Sequence, residues 1–167
     1  MDLKDFFLEQ LERDAAACRK VLERVPEGRN SWKPHPRSME LGYLAALVAS
    51  MPGWPAFMIL QDETDLDGKD QSLRTAAVET TAELLQMLDA GLDRSRQALR
   101  NTTEQHLHGV WRLKMGGNLL SETPRYRAIA DGALSHLAHH RGQLTVYLRL
   151  NEAKVPAIYG PSADEWY

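Results

Sequence analysis

Three of the six histidines in this chain of 167 residues stand within five positions, in the stretch SHLAHHRGQL at 135–144. On a helical wheel, His136 and His140 lie one turn apart on the apolar stripe, whereas His139 lies about 100° away, at the edge of the stripe or in solvent. Two imidazoles at positions i and i+4 can bind one metal ion, a spacing found in helical metal sites. Alternatively, each ring is hydrogen-bonded to a carboxylate or a carbonyl inside the core. The spacing alone leaves both possibilities open.

A complete metal site needs a further ligand from another helix, and three side chains are candidates. Asp14 and Cys18 lie on or beside the apolar stripe of the first predicted helix, and Glu40 lies at the inward edge of the second. A carboxylate in the core needs a partner, because its unpaired burial is costly. The alternatives are that Asp14 pairs with an arginine or lysine at the rim of the fold and that Cys18 is a small core residue.

Three more residues of the predicted last helix stand near the histidines. Gln143 lies about 60° from His140 on the wheel, where its amide can hydrogen-bond the imidazole and fix its tautomer. Tyr147 lies two turns beyond His140, and we expect its hydroxyl to reach the same cavity. Arg141 points away from the stripe, which favours a surface or interhelical ion pair.

The elements that position these residues are four long helices. Apolar residues recur with the helical period in four segments, over 2–25, 38–61, 72–100 and from 121–124 to 150. Ser38 is the expected N-cap of the second helix, and Pro52 with Gly53 is its expected kink. The polar run DETDLDGKDQS at 62–72 is predicted to be a loop.

The pattern changes between residues 104 and 117, where apolar and polar residues alternate and Gly116-Gly117 follow. A period of two predicts a short extended segment or hairpin, with His106 and His108 on its polar side. His35, between two prolines, is given no role. We therefore predict a single domain, 1–167, of the all-α class: a four-helix bundle with an extended segment between its third and fourth helices.

Composition excludes several classes of function. The net charge is −3 with 20 basic and 23 acidic residues intermixed, so we expect no nucleic-acid partner. The one cysteine, Cys18, excludes an internal disulfide and a multi-cysteine zinc site. The charged N-terminus is unlike a secretory signal, and we expect neither an apolar run of membrane-spanning length nor a membrane partner. The sequence predicts a cytoplasmic protein.

Two stretches resemble the DinB-like superfamily of four-helix bundles, named after damage-inducible proteins. HLAHHRGQLTVYLRLNEAKVPAIYGPSADE is similar to the last helix and tail of that family, and SWKPHPRSMELGYLAALVASMPGW to its second helix; together they cover about a third of the chain. The resemblance implies a nickel or zinc ion on three histidines, two of which correspond to His136 and His140. The third, on the second helix, corresponds to Leu47. We therefore expect a weakened or absent metal.

The departure at Leu47 leaves two possibilities for the site. Either Asp14, Glu40 or Cys18 completes it, or the two histidines are satisfied by each other, by Tyr43 or by water. An ion held by two protein ligands and water is bound far less tightly than one in a completed site.

The resemblance also implies two classes of function. Characterised relatives are metal-dependent enzymes that use small thiols, thiol S-transferases and a maleylpyruvate isomerase among them, in which the metal lowers the pKa of the thiol. The alternative is a non-catalytic, metal-free bundle that serves as a binding or stress-response module. A homodimer is expected in either case, with a small molecule or thiol as ligand. Trp32, Trp54 and Trp111 belong to the core, to an interface or to the wall of such a cavity.

Overall fold

The computed structural model describes residues 2–67 and 78–166. Within these ranges the chain is mostly helical and carries a small three-stranded sheet. The prediction of an all-α protein is therefore correct only for its helical part. The elements in chain order are α1 (Leu3–Leu22), α2 (Leu41–Ser50), α3 (Trp54–Leu60), β1 (Glu63–Asp65), α4 (Thr81–Asn101), α5 (Glu104–His108), β2 (Val110–Met115), β3 (Asn118–Pro124), α6 (Arg125–Arg127) and α7 (His136–Leu150).

The second predicted helix is the pair α2 and α3, joined by a 3₁₀ turn at Met51–Gly53. Pro52 lacks the N–H that would continue the α-helical ladder, so the expected bend falls there. Ser38 is not the N-cap: α2 begins after Glu40, whose side chain makes no capping hydrogen bond. Leu41–Leu60 is long and apolar enough to span a membrane, contrary to our expectation, but 83% of that window is buried within the fold. It is a core segment.

Helix α4 begins later than its periodicity predicted. Thr80 and Glu83 form a capping box, in which the Thr80 hydroxyl accepts from the Glu83 N–H and the Glu83 carboxylate accepts from the Thr80 N–H. Residues 78–80 are not helical, and the predicted start at 72–77 lies outside the described residues. The box fixes where the helix starts because it satisfies backbone donors that no preceding turn can serve.

A hairpin was predicted between the third and fourth helices, but its bounds differ from 104–117: β2 and β3 span 110–124, so β3 includes 121–124, where the last helix was expected to begin. Gly116 and Gly117 turn the hairpin with φ of +57° and +80°, the left-handed region that glycine adopts without strain. β1 pairs in parallel with β2, where a loop was predicted. The Asp65 carboxylate accepts from the Gly117 N–H at 2.7 Å and the Gly116 N–H at 2.9 Å, which ties β1 to the hairpin turn.

The last helix, residues 125–150, consists of α6, a π-helical segment at Ala128–Ser135, and α7. It packs against α1, α2 and α3, and α4 packs against the same three. The four long helical segments thus share one core, which includes Leu11, Leu44, Leu88, Leu99, Leu137 and Leu144, each fully buried. The π-helical segment matters for the site because it changes the side-chain spacing just before His136.

Candidate ligand cavity and histidine pair

A cavity of about 640 Å³ lies between α2, α3, the hairpin and the last helix. Its size and its mostly apolar wall are typical of small-molecule sites. The apolar lining consists of Leu47, Trp54, Met58, Leu66, Trp111, Leu113, Ala128 and Gly132. The polar lining consists of Tyr43, Ser121, Thr123, Arg127, Asp131 and His136.

His136 and His140 meet at the side of this cavity. Their Nε2 atoms are 2.8 Å apart, and their ring centroids are 4.5 Å apart. The Oε1 atom of Gln143 lies 2.8 Å from His140 Nδ1. With the amide in this orientation, Nδ1 of His140 carries the hydrogen and its Nε2 keeps a lone pair. That lone pair accepts a hydrogen bond from His136 Nε2–H, so a chain of two bonds links the amide, His140 and His136.

The two histidines differ in exposure. His140 is 8% exposed, and burial lowers its pKa, an effect that the neighbouring His136 reinforces. A neutral ring at pH 7 is the form that accepts a hydrogen bond or binds a metal. His136 is exposed, so its predicted place on the buried stripe is wrong. It is the first residue of α7, where the cavity opens, and its ring lies edge-on to Trp54 at 5.6 Å.

Asp14 belongs to a separate buried cluster. Its Oδ1 lies 2.8 Å from Arg141 Nη1 and accepts from the Tyr159 hydroxyl at 3.0 Å, while Gln10 Nε2 donates to Oδ2 at 2.9 Å. Asp14 is 3% and Arg141 1% exposed. Arg141 therefore makes an interhelical ion pair with Asp14, so an arginine partner for Asp14 was predicted correctly, but the pair lies in the core and not at the rim. The Tyr159 hydroxyl also contacts Arg141, which adds the C-terminal tail to the cluster.

Cys18 and Glu40, the other two candidate ligands, are engaged elsewhere. The Cys18 sulfur is fully buried 3.6 Å from Arg141 Nη1, and burial raises the pKa of its thiol to about 11. The thiolate that a metal needs is therefore scarce at neutral pH. The Glu40 carboxylate is half-exposed and lies 3.7 Å from Lys33.

The remaining predicted residues divide between the cavity and its surroundings. Leu47, 8% exposed, and Tyr43, 49% exposed, both line the cavity. Tyr147 does not line it: its hydroxyl donates to the Met39 carbonyl at 3.2 Å, and its ring packs edge-on against Trp32. No described residue of the tail lines the cavity, and Glu165 pairs with Arg24, just beyond the end of α1.

His106 and His108 lie on α5. The prediction that they belong to the polar side of an extended segment is therefore wrong. A ring nitrogen of His106 lies 2.8 Å from the Ile59 carbonyl, and His108 faces Glu104 at 3.6 Å. Thr103 caps this short helix through the His106 N–H. A cap of this kind is a local signal for a helix start that the period of two concealed.

A completed metal site does not fit these residues. Over 2–67 and 78–166, no three histidine, cysteine, aspartate or glutamate side chains are grouped so that they could bind one ion. Two imidazole nitrogens converge, but Leu47 offers no donor. The donor set is thus at most a two-histidine site, whose other positions would need water or a ligand.

The sequence analysis missed the two charged residues other than histidine that line the cavity. Arg127 and Asp131 both line it, one on each side of the start of the π-helical segment. Charged residues four positions apart on a helix are normally read as a solvated pair. They face a cavity because the hairpin lies over this part of the last helix, which the sequence alone does not reveal.

Comparison with known proteins supports the fold. No family model matches the chain. The uncharacterised protein YrdA of Bacillus subtilis (strain 168) is 26% identical over 166 residues, which cover 97% of this chain and 91% of that protein. The crystal structure of a DinB-like protein from Bacillus subtilis, YjoA, is 17% identical with a TM-score of 0.67 and covers 90% of this chain and 94% of its own. A DinB-like protein from Bacillus cereus is 19% identical with the same TM-score, over 92% and 95% of the two chains.

Proposed function

The chain has the DinB-like fold, and from this premise we propose that it binds a small molecule in the cavity beside His136, without a tightly bound metal. The observation that carries the proposal is the cavity itself: about 640 Å³, largely apolar, and bordered by a pair of hydrogen-bonded imidazoles. Apolar walls supply affinity, and a few oriented polar groups fix the position of the ligand. The histidine pair is such a group, because Gln143 orients His140 and His140 orients His136.

Two further features support a metal-free site. Leu47 occupies the wall where a third imidazole would be needed, and an aliphatic side chain there adds apolar surface to the cavity. The His136 and His140 nitrogens already satisfy each other, so the pair does not require a cation to avoid buried unpaired atoms. The homodimer and the cytoplasmic location stay predictions.

Filling the cavity tests this function directly. We expect phenylnaphthylamine, an uncharged fluorescent probe, to bind the wild-type protein with increased emission. Leu47→Trp adds an indole to the cavity wall, and we expect it to weaken this binding at least about tenfold, the effect of losing roughly 1.4 kcal/mol of apolar contact. Circular dichroism checks that the variant is folded.

The matched control is Val146→Trp, because Val146 is 57% exposed on α7 and does not line the cavity. This variant should bind the probe as the wild type does. Equal affinity in all three proteins, or no binding by the wild type, contradicts the proposed function.

A metal-dependent enzyme of the thiol S-transferase type is the second candidate. One observation favours it: the Gln143 contact leaves His140 Nε2 with its lone pair turned toward His136. Loss of the hydrogen from His136 Nε2 would give two converging nitrogen donors. A cation bound there would lower the pKa of a thiol and leave other coordination positions open to it.

Titration with nickel and zinc separates the two candidates. We expect weak binding to the wild type, lost in His140→Ala and kept in His139→Ala, measured by calorimetry on protein purified without an affinity tag. His139 is the matched control because it is the adjacent exposed histidine and its nitrogens take no part in the pair. A stoichiometric metal that survives purification would favour the enzyme and contradict the metal-free proposal.

A further inference from the structure

Arg127 is a cation without an ion-pair partner at the edge of the cavity. It lines the cavity and is exposed, and within residues 2–67 and 78–166 no carboxylate lies within 4.0 Å of it, Asp131 included. Its neighbour Arg125 contrasts with it: that guanidinium is 3% exposed, contacts Asp62 and donates to the Val110 carbonyl at 2.8 Å. Arg125 therefore holds the hairpin in place, whereas the Arg127 guanidinium remains available to a ligand.

Trp111 lies on the same, hairpin side of the cavity as Arg127. It lines the cavity from β2, is 4% exposed, and pairs in the sheet with Thr123, four residues before Arg127. Its Nε1 atom is buried without an acceptor in the described part of the chain, so this N–H is not open to a ligand in the cavity. The indole therefore contributes apolar wall, and the Arg127 guanidinium is the charged donor on this side.

The opposite end of the cavity is marked by His136. Arg127 and His136 are nine positions apart on the last helix, so their backbones are separated by at most about 13 Å along its axis at 1.5 Å per residue. Aromatic rings join these ends: Trp54 contacts His136 at 5.6 Å and Phe57 at 6.3 Å, and Phe57 contacts Trp111 at 6.4 Å. A ligand that fits has an elongated apolar body, flat enough to lie against indole rings, and an anionic end.

We propose that the cavity binds an apolar carboxylic acid, with its carboxylate at Arg127 and its body against Trp54 toward His136. A carboxylate accepts the fork of N–H groups that arginine presents. Asp131, on the same wall, disfavours a second negative charge and so selects a monoacid. This inference rests on the proposed function and adds the chemical class of the ligand.

Three probes that share one ring system test the chemical class of the ligand. Naphthaleneacetate, naphthaleneacetamide and naphthylethylamine share the apolar body and carry a negative, a neutral and a positive end. By calorimetry on the wild-type protein, we expect the acid to bind at least about tenfold more tightly than the amide, as one charge-assisted hydrogen bond predicts. The amine should bind most weakly. An acid that binds no better than the amide, or an amine that binds best, overturns the proposal.

Single-residue variants then test which side chains cause the preference for the acid over the amide. We expect Arg127→Gln to weaken binding of the acid until it is no tighter than binding of the amide. Asp131→Asn should raise the affinity for the acid a few-fold, because it removes a negative charge from the cavity wall. Arg13→Gln, an exposed arginine of α1 outside the cavity, is the control with the same change of charge.

The outcomes separate this inference from the proposed function. If Arg127→Gln keeps the preference for the acid, the assignment to Arg127 is wrong. The amide and the acid could bind equally while Leu47→Trp still excludes phenylnaphthylamine. In that case the cavity binds small molecules, but its ligand is not a carboxylic acid. If none of the probes binds, both proposals fail.

Discussion

Replacing Asp14 with alanine is expected to lower the free energy of unfolding by about 3–5 kcal/mol, the usual cost of removing one partner from a buried ion pair. The Arg141 guanidinium is 1% exposed and lies 2.8 Å from the Asp14 carboxylate. Without that carboxylate, a full positive charge stays in the core between α1 and the last helix. The hydrogen bond from the Tyr159 hydroxyl to Asp14 is lost as well, which loosens the contact between the tail and α1.

Urea unfolding followed by circular dichroism measures this loss. Asp89→Ala is the matched control, because Asp89 pairs with Arg19 at the surface, where side chains are 54% and 38% exposed; such pairs contribute about 0–1 kcal/mol. The double variant Asp14→Ala with Arg141→Met should recover much of the loss, since a buried pair replaced by apolar groups is often neutral. A single variant as stable as Asp89→Ala would contradict the assignment of a buried pair.

The parts of the fold that were predicted correctly depend on local signals. The period of Leu3, Phe7 and Leu11 belongs to one side of α1, and the bend at Pro52 follows from a missing N–H. Strand β1 carries no such signal. Its three residues, ETD, are polar, and they become a strand because β2 and the Asp65 contact with the hairpin turn hold them there. A partner almost fifty positions away is not visible in a local window.

In the candidate site, too, the features that depend on local spacing were predicted and those that depend on distant contacts were not. The spacing of four residues brings His136 and His140 together, and the wheel placed Gln143 near His140. The wheel failed for the exposure of His136: it puts this residue on the same side of α7 as His140, but His136 is the first residue of α7, where the cavity opens to solvent. The wheel placed Asp14 beside the apolar stripe of α1, but a wheel gives a direction and not a depth, so it could not distinguish an ion pair at the rim from the buried pair with Arg141. Arg127 faces the cavity only because the hairpin folds over the last helix.

Replacing Leu47 with histidine is expected to raise the affinity for nickel or zinc by about 100-fold or more, which corresponds to roughly 2.7 kcal/mol of binding free energy. Leu47 is 8% exposed and lines the same cavity as His136. A third imidazole there would join the two nitrogens that already converge and leave a position open for water. Without metal, the variant should be less stable than the wild type, because it buries a polar ring without a partner.

With metal added, Leu47→His should become more stable than the wild type. A cation that binds only the folded state stabilises it in proportion to the logarithm of its concentration over its dissociation constant, so the melting temperature of Leu47→His should rise with added nickel while that of the wild type barely moves. Two controls separate a built site from an added surface ligand. Tyr43→His places an imidazole one turn earlier on α2, at a half-exposed position lining the same cavity, and should bind weakly. Adding His140→Ala to Leu47→His should remove the gain, and a gain that persisted would show that the new histidine binds metal without the pair.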